Sequence, residues 1–232
     1  MDAILAPEAV AAPDKAAKDL VAEANHRIAN SLTLLVSMVR MQASAASKRP
    51  DTLTAAEVRL MLEGVAARIS TIGQLHRLLS HVPHDGCTSL VPHLRDVSDA
   101  MVAALSSPEQ TVSVEHSGSD CLVLTRQVQP IILIVCEIFI NAMKYAHPAG
   151  VPLAMRIDCA PSADGRLVLT ISDDGVGLPE GFDPIRAGGL GFRVIRSLAS
   201  EIGATLEITS GGLGLSIRLS VPGSAMPSGR PS

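Results

Sequence analysis

The clearest shortage in this 232-residue sequence is of aromatic side chains, which make up 2% of the residues and include no tryptophan. Proteins that bind single-stranded nucleic acid stack bases on aromatic side chains, and nucleic-acid binders usually carry an excess of basic residues. The formal net charge of -4 shows no such excess. The composition therefore predicts no nucleic-acid partner, and a core of aliphatic residues drawn from the 47% hydrophobic content.

Long apolar runs and paired cysteines are also missing. The longest run, PIILIVC at 130–136, ends at Glu137 and is far shorter than the roughly 20 residues of a membrane-spanning helix, so no membrane span is predicted. The N-terminus lacks the basic start of a secretion signal. The four cysteines stand singly, without metal-ligand spacing, and are expected to be reduced and mostly buried thiols. These features predict a cytoplasmic globular protein.

Helical periodicity dominates the first third of the chain. After an Ala- and Pro-rich segment expected to be flexible (1–14), apolar residues recur at spacings of three, four and seven as far as about residue 46. A turn and a capping box, Thr54-x-x-Glu57, then precede a second helix to about residue 80. The pattern predicts a helical hairpin over 15–84. Pairing two hairpins into the four-helix bundle of a homodimer would bury the apolar stripes, and packing on the rest of the same chain is the alternative.

Mixed helix and strand patterns follow the Pro- and Gly-containing stretch at 81–87. Helices are expected near 90–105, 126–146 and 189–202, with strands near 112–116, 121–124, 153–159, 167–172, 205–209 and 213–221. Over 85–222 this predicts an α/β layer with helices on one face of a mixed or antiparallel sheet. Residues 223–232 have the composition of a disordered tail. The chain as a whole is predicted to be α+β.

Two glycine-rich segments in the second half could form a ligand site. ISDDGVGLPEG places Asp173 at the end of a strand, followed by Gly175 and Gly177. The carboxylate could accept a hydrogen bond from an amino group such as that of adenine, and the alternative is a simple hairpin turn. AGGLGFRVI carries Gly189 and Gly191 directly into a helix, where backbone N–H groups and the helix dipole favour phosphate.

One helix between these features presents a polar face. In CEIFINAMKYAHPAG, Glu137, Asn141 and Lys144 are spaced by four and three residues among apolar neighbours and so share one side of the helix. Buried polar groups need partners, and a nucleotide with Mg2+ would supply them. Asn141 could bind the metal, Lys144 the phosphate, and Glu137 could orient metal-bound water. A hydrogen-bond network within the helix is the alternative.

These three segments, in this order, resemble the N box and the two glycine boxes of the GHKL ATPase superfamily. The resemblance covers about residues 90–221 and implies a Bergerat-type α/β sandwich that holds ATP and Mg2+. It further implies that Asn141 holds Mg2+ and that Asp173 binds adenine. The remaining residues expected at the nucleotide are Lys144, Tyr145, Gly175, Gly177, Gly189, Leu190 and Gly191.

The first helix contains EANHRIANSL, which is similar to the His-Arg-x-x-Asn phosphoacceptor hairpin of the second histidine-kinase dimerisation family. The helical period places His26 roughly 150° from the apolar stripe, with Asn30 one turn later on the same face. An exposed imidazole whose pKa stays near its ordinary value of about 6.5 is largely neutral at cytoplasmic pH, so it keeps a lone pair that can attack a γ-phosphate.

The resemblance implies a two-component histidine kinase. His26 would take the phosphoryl group from ATP and pass it to an aspartate on a response-regulator receiver domain, with Arg27, Asn30 and Glu137 in catalytic roles. Ala29 and Ser31 depart from the family pattern, which has lysine and a second asparagine there. Three alternatives therefore stay open: a response-regulator phosphatase that uses Asn30, a histidine phosphotransferase, or a non-catalytic nucleotide-binding dimer module.

The segment before the first helix is too short for a sensor domain. The sequence is therefore expected to be a fragment of a longer kinase, a kinase driven by a separate sensor protein, or a protein whose main task is not autophosphorylation.

Overall fold

A helical N-terminal region leads into a mixed α/β sheet in the computed structural model. The structure describes residues 52–79, 86–106, 110–148, 151–184 and 189–223, together with 29, 33, 35–37, 39–40, 43–44 and 46–47. Every described residue between 29 and 47 is helical. Helix α1 (Ala55–Leu79) starts at the predicted capping box: the Thr54 N–H donates to Glu57 Oε2 at 2.8 Å, and the Glu57 N–H donates to Thr54 Oγ1 at 3.2 Å.

The remaining elements follow the predicted order, with ends shifted by a few residues. They are β1 (Cys87–Ser89), α2 (Val91–Leu105), β2 (Val112–Gly118), β3 (Leu122–Leu124), α3 (Thr125–Tyr145), β4 (Leu153–Pro161), β5 (Leu167–Asp173), α4 (Leu190–Glu201), β6 (Thr205–Gly211) and β7 (Gly214–Val221). The sequence did not predict β1, which pairs antiparallel with β3 as a separate two-stranded ribbon.

Five strands form the main sheet in the order β2-β4-β5-β7-β6. The β2–β4 pair is parallel and the other three pairs are antiparallel, so of the two sheet types expected the mixed one is confirmed. Along β4, Leu153, Met155, Ile157 and Cys159 are buried, and the residues between them are more accessible. This alternation with a period of two marks one face of the sheet as the inner face.

Helix α3 forms the centre of the hydrophobic core. Its residues 130–140 are all buried, and it packs on α4, on α2 and on β5. Its length and mean hydropathy would allow it to cross a membrane, but 78% of the apolar window lies inside the fold. Such length and hydropathy are also found in the buried core helix of a globular fold, and α3 is a helix of that kind.

Helix α1 packs on α2 and α3 of its own chain. Ala67, Arg68 and Ile72 are buried on the packed side, whereas Leu62 and Ile69 are 64% and 53% exposed. One side of α1 thus packs within the chain, as in the alternative to the dimer, and apolar side chains remain exposed on its other side.

Candidate functional site

A cavity of about 650 Å³ lies between α3, the loop that follows β5 and the start of α4. Residues from α1 close one side, among them Met61 and Arg68. Two of the three phenylalanines in the chain, Phe182 and Phe192, line this cavity. The volume and the largely apolar lining with a few polar groups are typical of small-molecule sites.

Asp173, the last residue of β5, lies on the cavity wall. Its Oδ1 accepts hydrogen bonds from the backbone N–H groups of Gly175 at 2.9 Å and Leu215 at 3.2 Å. Both bonds fall on one oxygen, so the carboxylate is fixed in orientation and its Oδ2 remains available to a hydrogen-bond donor. A rigid acceptor of this kind suits an exocyclic amino group such as that of adenine.

Asn141 and Lys144 lie on the α3 side of the same cavity. Asn141 Nδ2 is buried and has no hydrogen-bond partner among the described residues. The amide approaches the second glycine segment closely, since a Cβ at Gly191 would lie 2.7 Å from Asn141 Oδ1. Burial lowers the pKa of the Lys144 ammonium, the positive charge of Arg68 lowers it further, and Glu137 and Glu57 oppose both effects.

Glu137 forms an ion pair with a residue that the sequence did not single out. Arg68 Nε donates to Glu137 Oε1 at 2.6 Å, and the side chains are 2% and 4% exposed. The partner of Glu137 is therefore an arginine from α1, not the neighbouring Asn141 or Lys144 of its own helix. Arg68 was missed because the contact spans 69 positions along the chain.

A sequence signal for Arg68 does exist. It is the one charged residue in an i, i+3, i+4, i+7, i+11 series of small or apolar residues on α1, namely Met61, Gly64, Val65, Arg68 and Ile72. A lone charge on the packed side of a helix requires a buried partner elsewhere in the fold.

The loop after β5 is tied to the end of α3. Gly175 is buried against Ala146, where a Cβ would come within 2.5 Å of the Ala146 Cα. His147 Nε2 lies 2.8 Å from Asp174 Oδ1, which also accepts a bond from the Ala154 N–H at 3.0 Å. Partial burial would raise the pKa of the Asp174 carboxyl, but these hydrogen bonds outweigh it and hold the pKa below its usual value.

Gly177 is required by its backbone conformation. Its φ of +73° lies in the left-handed region, and a Cβ there would lie 2.6 Å from the carbonyl oxygen of Gly211. Ser210 Oγ accepts a bond from the next N–H, that of Leu178, at 2.6 Å. The loop therefore follows the β6–β7 hairpin closely and presents its backbone to the cavity.

Most of the residues predicted for the nucleotide surround this one cavity. Those that line it are Glu137, Asn141, Lys144, Tyr145, Asp173, Gly177, Gly189 and Gly191. Gly175 is instead packed against Ala146, and Leu190 begins α4 with its side chain outside the described part. His26, Arg27 and Asn30 lie outside the described residues, so their predicted roles stay predictions.

Whether Mg2+ fits this cavity depends on the ligand atoms that line it. Within the described ranges there is no group of three or more His, Cys, Asp or Glu residues that could hold a metal ion. An amide oxygen is a ligand that Mg2+ accepts, and Asn141 carries one beside its buried, unpartnered Nδ2. Mg2+ also retains waters and binds substrate phosphates, so one amide ligand from the protein fits a metal carried by a nucleotide.

The contact between Gly191 and Asn141 makes a testable prediction. We expect Gly191→Ala to push the Asn141 amide from its place, leaving the fold intact because the displaced atoms end a side chain, and weakening Mg-ATP binding about tenfold. Gly212→Ala is the matched control outside the cavity, since a Cβ there meets no described atom within 4 Å. Calorimetric titration and thermal unfolding separate the two effects, and equal affinities for the two variants would contradict the assignment.

Comparison with known families gives two adjoining matches. Residues 23–104 match the family described as "Histidine kinase", and residues 106–221 match the "Histidine kinase-like ATPase domain". The second match begins just before β2 and contains the whole cavity wall formed by α3, the β5 loop and α4.

Relatives and solved structures agree. The chain is 28% identical over 222 residues to blue-light-activated histidine kinase 2 of Erythrobacter litoralis, covering 90% of this chain and 59% of that protein. It is 26% identical over 184 residues to sensor histidine kinase PdtaS of Mycobacterium tuberculosis, covering 78% of this chain and 34% of the relative. The chain thus spans between a third and three fifths of these relatives' lengths.

The fold agrees with the solved histidine kinase domain of the Erythrobacter litoralis EL346 blue-light-activated kinase. The TM-score is 0.65 at 24% identity, covering 88% of this chain and 93% of that one. The predicted fold class, a helical region followed by a GHKL-type sheet, is therefore confirmed. Together the two domain matches and the nucleotide-type cavity show that this chain belongs to the histidine kinase family, with a GHKL-type ATPase domain.

Proposed function

We propose that this chain binds Mg-ATP in the cavity, transfers the γ-phosphoryl group to His26, and passes it to an aspartate of a response-regulator receiver domain. The observation that carries the proposal is the polarity of the cavity. Asp173 offers a fixed acceptor on the β5 wall, and the unpartnered amide of Asn141 and the Lys144 ammonium lie on the α3 wall. This arrangement suits a ligand with an amino-bearing base and a polyanionic tail.

The residues of the chain would divide the work as follows. Asp173 accepts a hydrogen bond from the adenine amino group, and the apolar walls, including Phe182 and Phe192, exclude water from the base. Asn141 binds Mg2+, which supplies charge stabilisation on the phosphates when it is present. Lys144 binds phosphate oxygens.

The chemical step itself is a displacement at phosphorus. A ring nitrogen of His26 forms a bond to the γ-phosphorus while the bond to the bridging oxygen breaks and ADP leaves with the electron pair. Arg27 follows His26 directly and would stabilise the charge on the transferred group. Phosphoryl transfer depends mainly on the positions of the reacting groups and on stabilisation of charge. The polar residues named above would serve these two purposes.

A phosphatase that acts on the receiver is the second candidate. Asn30 follows His26 by four residues, a spacing at which its amide could position water against an aspartyl phosphate. Ala29 stands where the family pattern has a cationic lysine. Both features favour removal of a phosphoryl group from the receiver over its transfer from ATP to His26. The same hairpin would also serve a histidine phosphotransferase.

One experiment separates these activities. Purified protein is incubated with γ-labelled ATP and Mg2+, and a panel of receiver domains is then added. A kinase acquires label first and loses it to one receiver. A protein that never acquires label, yet speeds the loss of label from a pre-phosphorylated receiver in an Asn30-dependent way, is a phosphatase and contradicts the kinase proposal.

We further propose a homodimer formed through the exposed side of the hairpin. Val58, Leu62 and Ile69 on α1 are 40%, 64% and 53% exposed, and Val36 and Val39 of the first helical stretch are 49% and 42% exposed. Apolar side chains repeated at helical spacing on an open face favour a four-helix bundle with a second copy.

The dimer proposal predicts the effect of one substitution. Leu62→Asp places a charge on this face and is expected to convert a dimer into a folded monomer, as measured by sedimentation equilibrium. Arg59→Asp is the control, since Arg59 lies on the same helix and its polar side chain is 60% exposed. This variant should sediment with the mass of the wild type. A monomeric wild type would contradict the dimer.

We propose that the protein works in the cytoplasm, because that compartment contains ATP. The cysteines support this, since Cys87, Cys121, Cys136 and Cys159 form no disulfide in the described part of the chain. A separate sensor protein, or additional domains of the kind that would account for the greater length of the relatives, would supply the signal. Fractionation of cells that express the tagged full-length protein tests the location.

A further inference from the structure

Arg68 brings an incompletely satisfied charge into the cavity. A guanidinium carries five N–H donors, and the Nε of Arg68 is committed to Glu137. Nη1 and Nη2 are both buried and have no hydrogen-bond partner among the described residues. Leaving such donors buried and unpaired is costly, so the site requires an acceptor that the described part of the chain does not provide.

The unpartnered donors indicate what that acceptor is. Arg68, Glu137, Asn141 and Lys144 all line the cavity, and the carboxylates of Glu137 and Asp173 balance the two cations among the described lining residues. What remains unmatched is the set of N–H donors, namely Nη1 and Nη2 of Arg68 and Nδ2 of Asn141. A planar guanidinium whose Nη groups are both unpartnered matches phosphate oxygens.

The helix packing allows Arg68 to reach this position. A Cβ at Gly64 would lie 3.2 Å from Ile140 Cδ1 and 3.4 Å from Arg68 Nη1. Glycine at this point therefore lets α1 lie close to α3 and leaves room for the guanidinium one turn later. The contact joins the hairpin to the N-box helix at the cavity itself.

We propose that Arg68 is a phosphate-binding residue of the nucleotide site, which uses Nη1 and Nη2 on the phosphate tail of ATP while Nε stays on Glu137. The proposal rests on the proposed function, in that it requires ATP to occupy the cavity. It adds that the hairpin contributes a residue to its own chain's nucleotide site, so a bound phosphate tail stabilises the docking of α1 on the ATPase domain. A purely structural Arg68–Glu137 ion pair is the competing explanation.

The test compares nucleotides that differ only in their phosphates. Affinities for ATP and AMP are measured by competition with a fluorescent nucleotide, for the wild type, Arg68→Gln, Glu137→Gln and the double variant. We expect Arg68→Gln to weaken ATP binding about tenfold and AMP binding less than twofold, and to do so in the Glu137→Gln background as well. The double variant keeps a neutral hydrogen-bonded pair of similar volume, so it guards against unfolding.

Each result has one meaning. If Arg68→Gln weakens ATP and AMP equally, or has no further effect once Glu137 is glutamine, Arg68 acts through the ion pair and the inference is wrong. If the wild type binds neither nucleotide, the proposed function fails. Stabilisation of the hairpin is measured by the hydrogen exchange of backbone amides in α1. In the wild type, ATP should slow this exchange more than AMP does. In Arg68→Gln, ATP and AMP should slow it to the same extent.

Discussion

Replacing His26 with glutamine is expected to abolish labelling of the protein by γ-labelled ATP, down to the background of the assay. Glutamine keeps a polar side chain at position 26, but its amide nitrogen has no free lone pair, so no phosphoramidate bond can form. ATP binding should be unchanged, because the described residues that line the cavity begin at Ala46, twenty positions after residue 26.

The matched control is His76→Gln. His76 is the histidine on helix α1. It follows the apolar Ile72 by four residues, the spacing of a helical stripe, so we expect it to pack within the hairpin. This variant should retain the label, corrected for any change in folding measured by circular dichroism. Label that survives His26→Gln and is lost in His76→Gln would move the phosphoacceptor to the second helix.

Asp173→Asn is expected to weaken ATP binding by about a hundredfold, which corresponds to roughly 2.7 kcal/mol. Asparagine has nearly the same shape, and its Oδ1 can still accept the bonds from Gly175 and Leu215. The other end of the side chain changes from an acceptor to an N–H donor, which would face the donor amino group of adenine. We therefore expect the variant to keep its fold and to lose the hydrogen bond to adenine.

Asp174→Asn is the control for this change. It removes the same charge from the adjacent residue, whose Oδ1 bonds to His147 and the Ala154 N–H can be kept by asparagine. Asp174 is not among the residues that line the cavity, so ATP affinity should stay within a factor of about two. The competition titration used for Arg68 measures both variants, and an unaltered affinity in Asp173→Asn would contradict the adenine assignment.

The parts of the site that lie close together in sequence were predictable. Glu137, Asn141 and Lys144 share a face because the helix repeats every 3.6 residues, and all three reach the cavity. The capping box at Thr54 and Glu57 is likewise a local pattern, and the structure confirms it. Local geometry follows from spacing alone, so one sequence is enough to find it.

The parts that depend on tertiary packing were not predictable. Arg68 meets Glu137 only because α1 docks on α3, and Gly175 is buried against Ala146 only because the β5 loop folds back on the end of that helix. Strand β1 has three residues, too few to show a period of two. In each case the determining contact is made by residues far apart in the chain.

The central claim is that a phosphoryl group moves from ATP bound in this cavity to the hairpin, and parallel incubation with α-labelled and γ-labelled ATP measures it most directly. We expect only γ-labelled ATP to leave label on the wild-type protein, and we expect that label to be lost in acid, to be stable in base and to map to the peptide containing His26. Retention of α-label, or absence of γ-label from a protein that binds ATP, would contradict it.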